Sequence, residues 1–241
     1  MRFLREDSPA PRAPLRLAIL PRALKEAYQC IPDLVRQMSR PLKALALVVV
    51  LSFIAQAMVG SFWVVYVVEL TMLSTAEWGL ILLVESVIRT VLFIPAGLLV
   101  DRWGRKTTLV VALVISSLAT PAFVLVHGFI PILLVRGALA VAFVLGLLAC
   151  MALMADLVPR SVRGQMMAAI GQGGIMLGAV GVPGGPSVGY LAIPPLMVAS
   201  LAGGYLYLLN PVYPWICATA AGLLSVGLAL GFIRDPRQAE I

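Results

Sequence analysis

Three charged residues stand where charge is expensive. Glu85 and Arg89 fall inside an apolar run from about Trp78 to Val100, and Arg136 falls inside another from about Ile130 to Leu157. In a bilayer each such ionised group costs at least ~2.5–3.5 kcal/mol at mid-depth on insertion scales, so each needs a partner or water. Glu85 precedes Arg89 by four residues, the favourable order for an ion pair on one helix. Ser86 and Thr90 widen the polar strip to about 140° of arc at ~100° per residue. A strip of that kind belongs against a bundle interior or a cavity. Its residue types allow Glu85 to carry a proton and Arg89 to hold an anionic substrate group. They equally allow a structural ion pair that joins helices. Arg136 is as well suited to be the structural partner of a carboxylate.

Other chemistries lack their residues. His127 is the only histidine, which leaves little support for histidine-based hydrolysis or for a metal centre. Cys30, Cys150 and Cys217 show no metal or redox spacing and are expected as free thiols. No phosphate-binding loop is apparent, which argues against ATP-driven work by this chain. The chain is therefore read as neither an enzyme nor a cofactor carrier.

Composition points to a membrane. The 241 residues are 61% hydrophobic and 12% charged, with a mean hydropathy of +1.01, too apolar for an ordinary soluble domain. The net charge of +7 could suggest nucleic acid, but nine of the 18 cations lie in residues 1–43. The rest, apart from Arg89 and Arg136, sit in the loop at 102–106, at Arg160 and Arg163, and at Arg234 and Arg237. Alternate loops are basic and the others carry no Lys or Arg. That is the positive-inside pattern, not a nucleic-acid footprint. It puts both termini and the basic loops in the cytoplasm, with Ser74 and Asn210 outside, and the cell membrane is the expected location. Residues 1–40 are too polar and proline-rich for a secretory signal.

The most distinctive stretch is Gly97-Leu98-Leu99-Val100-Asp101-Arg102-Trp103-Gly104-Arg105-Lys106. A loop this short between two apolar runs reads as a tight helical hairpin at a membrane surface. Gly97 lets two backbones approach closely. Gly104 tolerates the positive φ that a sharp turn often needs. Asp101 is placed to meet the positive N-terminus of a neighbouring helix. This order of Gly, Asp and basic residues closely resembles the signature loop of the major facilitator superfamily of secondary transporters. Gly97, Leu99, Asp101, Arg102, Gly104, Arg105 and Lys106 carry the match.

Along the chain, residues 1–40 form a basic arm ahead of a transmembrane domain at 41–241. Within the arm, Leu24, Ala27, Tyr28, Ile31, Leu34, Val35 and Met38 recur at helical spacing. This suits either an amphipathic segment on the inner membrane surface or a helix packed on a protein core. Spans are expected at about 42–70, 78–100, 107–126, 130–157 and 214–233. Ser74 to Glu77 reads as a capping box. Gln165 to Leu209 is too long for one simple span and is rich in Gly and Pro, so it reads as one broken crossing with an inserted segment. Arg163 and Arg234 must share a side, so that stretch and the last span make two crossings. The fold class is all-α and integral to the membrane, with six transmembrane helices.

The resemblance extends over about 200 residues and implies more. Six spans are half of the family's usual twelve, as two inverted three-helix repeats, with substrate bound between halves. Asp156-Leu157-Val158-Pro159 with Arg163-Gly164 is similar to the family's loop after the fourth helix of a half. Leu133 and Arg136 are similar to its L-x-x-R motif, without the Gln-Gly that follows, and imply a role for Arg136 in proton coupling. Gly181, Gly185, Pro186 and Gly189 match part of an antiporter pattern, from which Gln172 and Tyr190 depart. Asp101 and Asp156 beside Arg102, Arg105 and Arg163 imply a cytoplasmic charge network that latches one conformation. The basic arm resembles the family's central linker and implies a C-terminal half. The function so implied is secondary active transport of a small organic solute. The partners are the bilayer and a second half-transporter or a second copy. The rival reading is a non-transporting scaffold or a decayed half.

Overall fold

The computed structural model describes residues 35–36, 38–71, 73–158, 163–171, 174–180 and 188–233. By its contacts the chain divides into Met1–Gln37 and Met38–Ile241, and the fold described is that of the second unit. The expectations for the arm up to residue 34, Cys30 among them, and for Gly181, Gly185, Pro186, Gln172, Pro159, Arg160 and Arg237 lie outside the described residues.

The unit is built of helices: α1 Arg40–Val59, α2 Phe62–Leu70, α3 Thr75–Trp103, α4 Arg105–Leu125, α5 Phe129–Leu157, α6 Arg163–Ile170, α7 Ile193–Leu209 and α8 Tyr213–Phe232. Five of them, α1, α3, α4, α5 and α8, are long and apolar enough to cross a membrane. The all-helical membrane class expected from composition holds. The segment expected to make the remaining crossing contains α7, an apolar helix of 17 residues. At ~1.5 Å per residue it covers about 26 Å, short of the ~30 Å hydrocarbon core.

Local sequence explains the breaks. The first expected span is not one helix but two, α1 and α2, divided at Gly60-Ser61, a Gly/Ser pair of the kind that kinks helices. The capping box forms as read: Ser74 Oγ accepts from the Glu77 amide at 3.2 Å, and Glu77 Oε2 accepts from the Ser74 amide at 2.8 Å. Gly104 turns α3 into α4 with φ 87°, and Gly128 turns α4 into α5 with the same φ, a region open to glycine at little cost.

The long irregular stretch resolves into a helix and its return. α6 ends at Ile170, and the chain comes back to it at Val188, which bridges Gly171 in antiparallel sense. The Tyr190 and Leu191 amides then donate to the Ala168 and Ala169 carbonyls at 3.2 and 3.1 Å. α7 continues from there, so the described part agrees with a broken segment carrying an insertion.

The helices α4 and α5, α1 and α8, α3 and α5, α4 and α8, and α1 and α7 pack against one another. At the end of the bundle away from the 102–106 hairpin, an aromatic core gathers Trp63, Tyr66, Phe123 and Trp215. The Trp63 and Phe123 rings meet edge-on at 4.4 Å, and Phe123 stacks on Trp215 at 6.1 Å. α3 has an open face, with Leu83, Val87, Val91, Ile94 and Leu98 all exposed, and so do α7 at Leu201 and Leu208 and α8 at Ile216 and Leu223. Gly97 lies on α3 with no atom within 4 Å of the space a Cβ would fill. The close backbone approach expected there is thus absent among the described residues, because no described element covers that part of α3.

A close approach does occur at Gly203, where a Cβ would stand 2.6 Å from the Met58 carbonyl oxygen, whereas Gly204 faces open space. Gly203→Ala is expected to destabilise the α1–α7 contact by about 1–3 kcal/mol through overpacking. Gly204→Ala should be neutral or stabilising by up to ~1 kcal/mol from helix propensity. Thermal unfolding of both variants in detergent checks this, and equal melting temperatures would contradict it.

Candidate functional site

Arg136 on α5 is fully buried, and Glu85 on α3 is only 3% exposed. Their meeting is the centre of the site. Arg136 Nε donates to Glu85 Oε2 at 2.9 Å and Nη2 donates to the same oxygen at 2.5 Å. Arg136 Nη1 donates to the Gly178 carbonyl at 2.8 Å. The other carboxylate oxygen, Oε1, accepts from Arg89 Nη2 one helical turn further along α3. One carboxylate thus lies between two guanidiniums, and every nitrogen of Arg136 has a partner.

Aromatic rings complete the setting. The Arg136 guanidinium carbon stands 4.6 Å from the Trp63 ring centre and 5.7 Å from that of Trp78. Arg89 lies 4.3 Å over Phe143. Such cation–π contacts strengthen when they are desolvated. Ser86 and Thr90, the rest of the expected strip, are exposed, and Thr90 Oγ1 donates to the Ser86 carbonyl at 2.9 Å. Leu82, Glu85, Ser86 and Arg89 line an open cavity of about 180 Å³, bordered on its other side by Ala179 and Val180.

The irregular backbone at 174–180 is held against the site by polar side chains of the bundle. Gln56 on α1 donates to the Ala179 carbonyl, and the Met176 amide donates to Ser52 Oγ at 3.3 Å. Gly178 sits at φ +62°, and a Cβ there would stand 2.9 Å from the Leu139 side chain. Ser52 and Gln56 are marked in the sequence only by their spacing of four residues, which puts them on one face of α1.

The second group of sequence-derived residues sits at the hairpin end. Arg105 pairs with Asp156, joining the start of α4 to the end of α5. Lys106 Nζ donates to the Leu230 carbonyl at 2.9 Å, near the end of α8. Arg163 donates to the Ala155 carbonyl at 2.8 Å, so it meets the α5 terminus through the backbone instead of through the Asp156 carboxylate. Asp101 and Arg102 are exposed in the last turn of α3 and take no ion pair among the described residues. The structure therefore assembles part of the expected network and leaves the α3 end outside it.

Helices of membrane-crossing length around a buried charged centre define a multi-pass membrane protein. The sequence profile of the Major Facilitator Superfamily matches residues 45–240. The chain belongs to that superfamily, a family of membrane transporters. No curated protein is significantly similar to it.

Removing one partner of a buried pair strands the other. Arg136→Ala is expected to lower stability by about 3–5 kcal/mol, while Glu85→Gln with Arg136→Met should recover much of that loss. Chemical unfolding of the single and double variants measures it. A double variant as unstable as Arg136→Ala alone would show that the pair is not the source of the effect.

Proposed function

We propose that this chain is a six-crossing half of a secondary active transporter that carries a small organic solute by alternating access. The observation that carries the reading is the open cavity at Glu85 and Arg89. A purely structural ion pair needs no such space beside it. The cavity lies on α3, one of the helices with a face that the described residues leave open. A second six-helix half would complete the opposite wall, supplied by another chain, by a second copy or by a longer chain of which this is part. The cation distribution supports an orientation in the cell membrane with the 102–106 loop, the 156–163 region and both termini in the cytoplasm, and the likeness of the basic arm to the family's central linker supports a C-terminal half.

The coupling follows from competition for one guanidinium. Glu85 carboxylate and a bound anionic group both seek Arg89. A proton on Glu85 removes one competitor, so protonation and anion binding favour each other, and by linkage the solute promotes proton uptake. Arg136 keeps Glu85 in register for that exchange. At the cytoplasmic end, Asp101 and Arg102 are free to engage the second half in one conformation. Together with the Arg105–Asp156 pair they bias the equilibrium between states.

Flux of candidate solutes into liposomes under an imposed pH gradient tests the reading. Glu85→Gln is expected to flatten the pH dependence of flux, Arg89→Ala to reduce flux at least tenfold, and Asp101→Asn to slow flux at normal expression. Flux unaffected by all three variants would remove these residues from the mechanism, and no flux for any solute would favour a scaffold. Orientation has its own check. A single cysteine at position 74 is expected to react with an impermeant reagent added outside, and one at 102 only after permeabilisation. The reverse pattern would invert the topology.

A further inference from the structure

The charge at the site does not balance. Glu85 contributes one negative charge against the two positive charges of Arg89 and Arg136, and the remaining cavity-lining residues, Leu82, Ser86, Ala179 and Val180, carry none. The surplus resides on Arg89. Arg136 is committed at all three nitrogens, while Arg89 Nε is buried without a hydrogen-bond partner. The Arg89 side chain keeps 23% of its surface exposed, and a negative oxygen is the partner that a guanidinium binds best. A cationic solute would add like charge, and a neutral one would leave the surplus in place.

A second cavity lies further along the same face of α3. Positions 82, 85, 86, 89, 92, 96 and 99 recur at steps of one, three and four, so they form one stripe. Beyond Arg89 this stripe borders a cavity of about 110 Å³ between Leu92, Ala96 and Leu99 of α3 and Val141, Val144 and Leu145 of α5. Its lining holds no polar side chain. Its α3 lining lies three to ten residues past Arg89, or about 5–15 Å along the helix axis. Phe143, whose ring carries the Arg89 guanidinium, adjoins Val144 of that lining. A cavity of ~150 Å³ lined by apolar side chains can house benzene, so this smaller one suits a short alkyl group.

We propose that the two cavities along this stripe of α3 together bind an organic monoanion with a short apolar tail, its carboxylate-like head on Arg89 and its tail in the cavity at Leu92, Ala96 and Leu99. This rests on the transport reading only in taking the Arg89 cavity as a solute site. The head neutralises the surplus charge on the Arg89 guanidinium, which lines the upper cavity. The tail supplies affinity at about fourfold per buried methylene, until the cavity is full. Sugars and polyols are excluded by the apolar lower cavity, and alkylammonium ions by the guanidinium.

Calorimetric titration of the full chain in phosphatidylcholine nanodiscs, with straight-chain monocarboxylates from acetate to hexanoate, tests this. Alkylammonium ions and alcohols of matched length serve as controls. Affinity is expected to rise about fourfold per methylene and then level off, with the controls at least tenfold weaker. Arg89→Gln should weaken every carboxylate at least tenfold. Ala96→Leu, which fills the lower cavity, should flatten the length dependence and leave acetate unchanged, and Leu99→Phe serves the same purpose if Ala96→Leu fails to fold. Equal affinity at all lengths, controls that bind as well, or no carboxylate binding would each overturn the proposal. Flux in liposomes separates the two readings. Binding as expected without flux leaves the site and removes transport, whereas flux of cations or sugars without carboxylate binding does the reverse.

Discussion

The structure depends on a carboxylate buried between two guanidiniums. Three ionised groups in an apolar bundle are tolerable only if their polar atoms are answered, because the desolvation of each costs several kcal/mol. Glu85 gives one oxygen to Arg136 and the other to Arg89. Arg136 turns its third nitrogen to the Gly178 carbonyl and lies near the faces of Trp63 and Trp78. That single constraint joins α3 to α5, brings the irregular segment inward and fixes where the first span must deliver its tryptophan. The break at Gly60-Ser61 serves the last requirement, since α2 starts there and carries Trp63 and Tyr66 into the aromatic core.

Non-helical backbone at membrane depth must find hydrogen bonds within the protein. The stretch 174–180 does so through side chains of two other helices: Arg136 for the Gly178 carbonyl, Gln56 for the Ala179 carbonyl and Ser52 for the Met176 amide. The buried polar residues of α1 thus have a structural purpose that hydropathy does not reveal. Ser52 also spends its hydroxyl proton on the Val49 carbonyl at 2.7 Å, so its oxygen acts as donor and acceptor together. The broken segment and the ion pair are in this way one polar assembly.

The elements with local causes were legible in the sequence. Apolar run length marked the long helices, Ser74 and Glu77 marked the start of α3, and Gly104 marked the hairpin turn. The spacing of Glu85 and Arg89 marked their pair, because four residues along a helix is a local distance. Arg136 and Glu85 are 51 residues apart, and nothing local says that α3 and α5 lie side by side at that depth. The same holds for Gln56 and Ala179, separated by 123 residues. Gly97 failed for a related reason. A small residue signals a close approach only where a second element is present, and α3 has its neighbour on one side alone.

That one-sidedness links the hairpin to the buried centre. At the hairpin end, α4 is tied to α5 by Arg105 and Asp156 and to α8 by Lys106, and α6 is tied to α5 by Arg163. Nothing comparable among the described residues fastens the end of α3, where Asp101 and Arg102 are exposed. The polar tether that the described residues show for α3 is Glu85 to Arg136, roughly 24 Å away along the helix at ~1.5 Å per residue. Pro95 lies between them within α3, and it removes a backbone hydrogen bond from that stretch. Glu85 and Arg136 set one depth at which α3 is tied by polar groups, while Trp78, Ile81, Ala96 and Val100 bury apolar side chains on either side of it. Both oxygens of Glu85 are engaged there, so a single carboxylate joins α3 to α5 and braces Arg89 on its own helix.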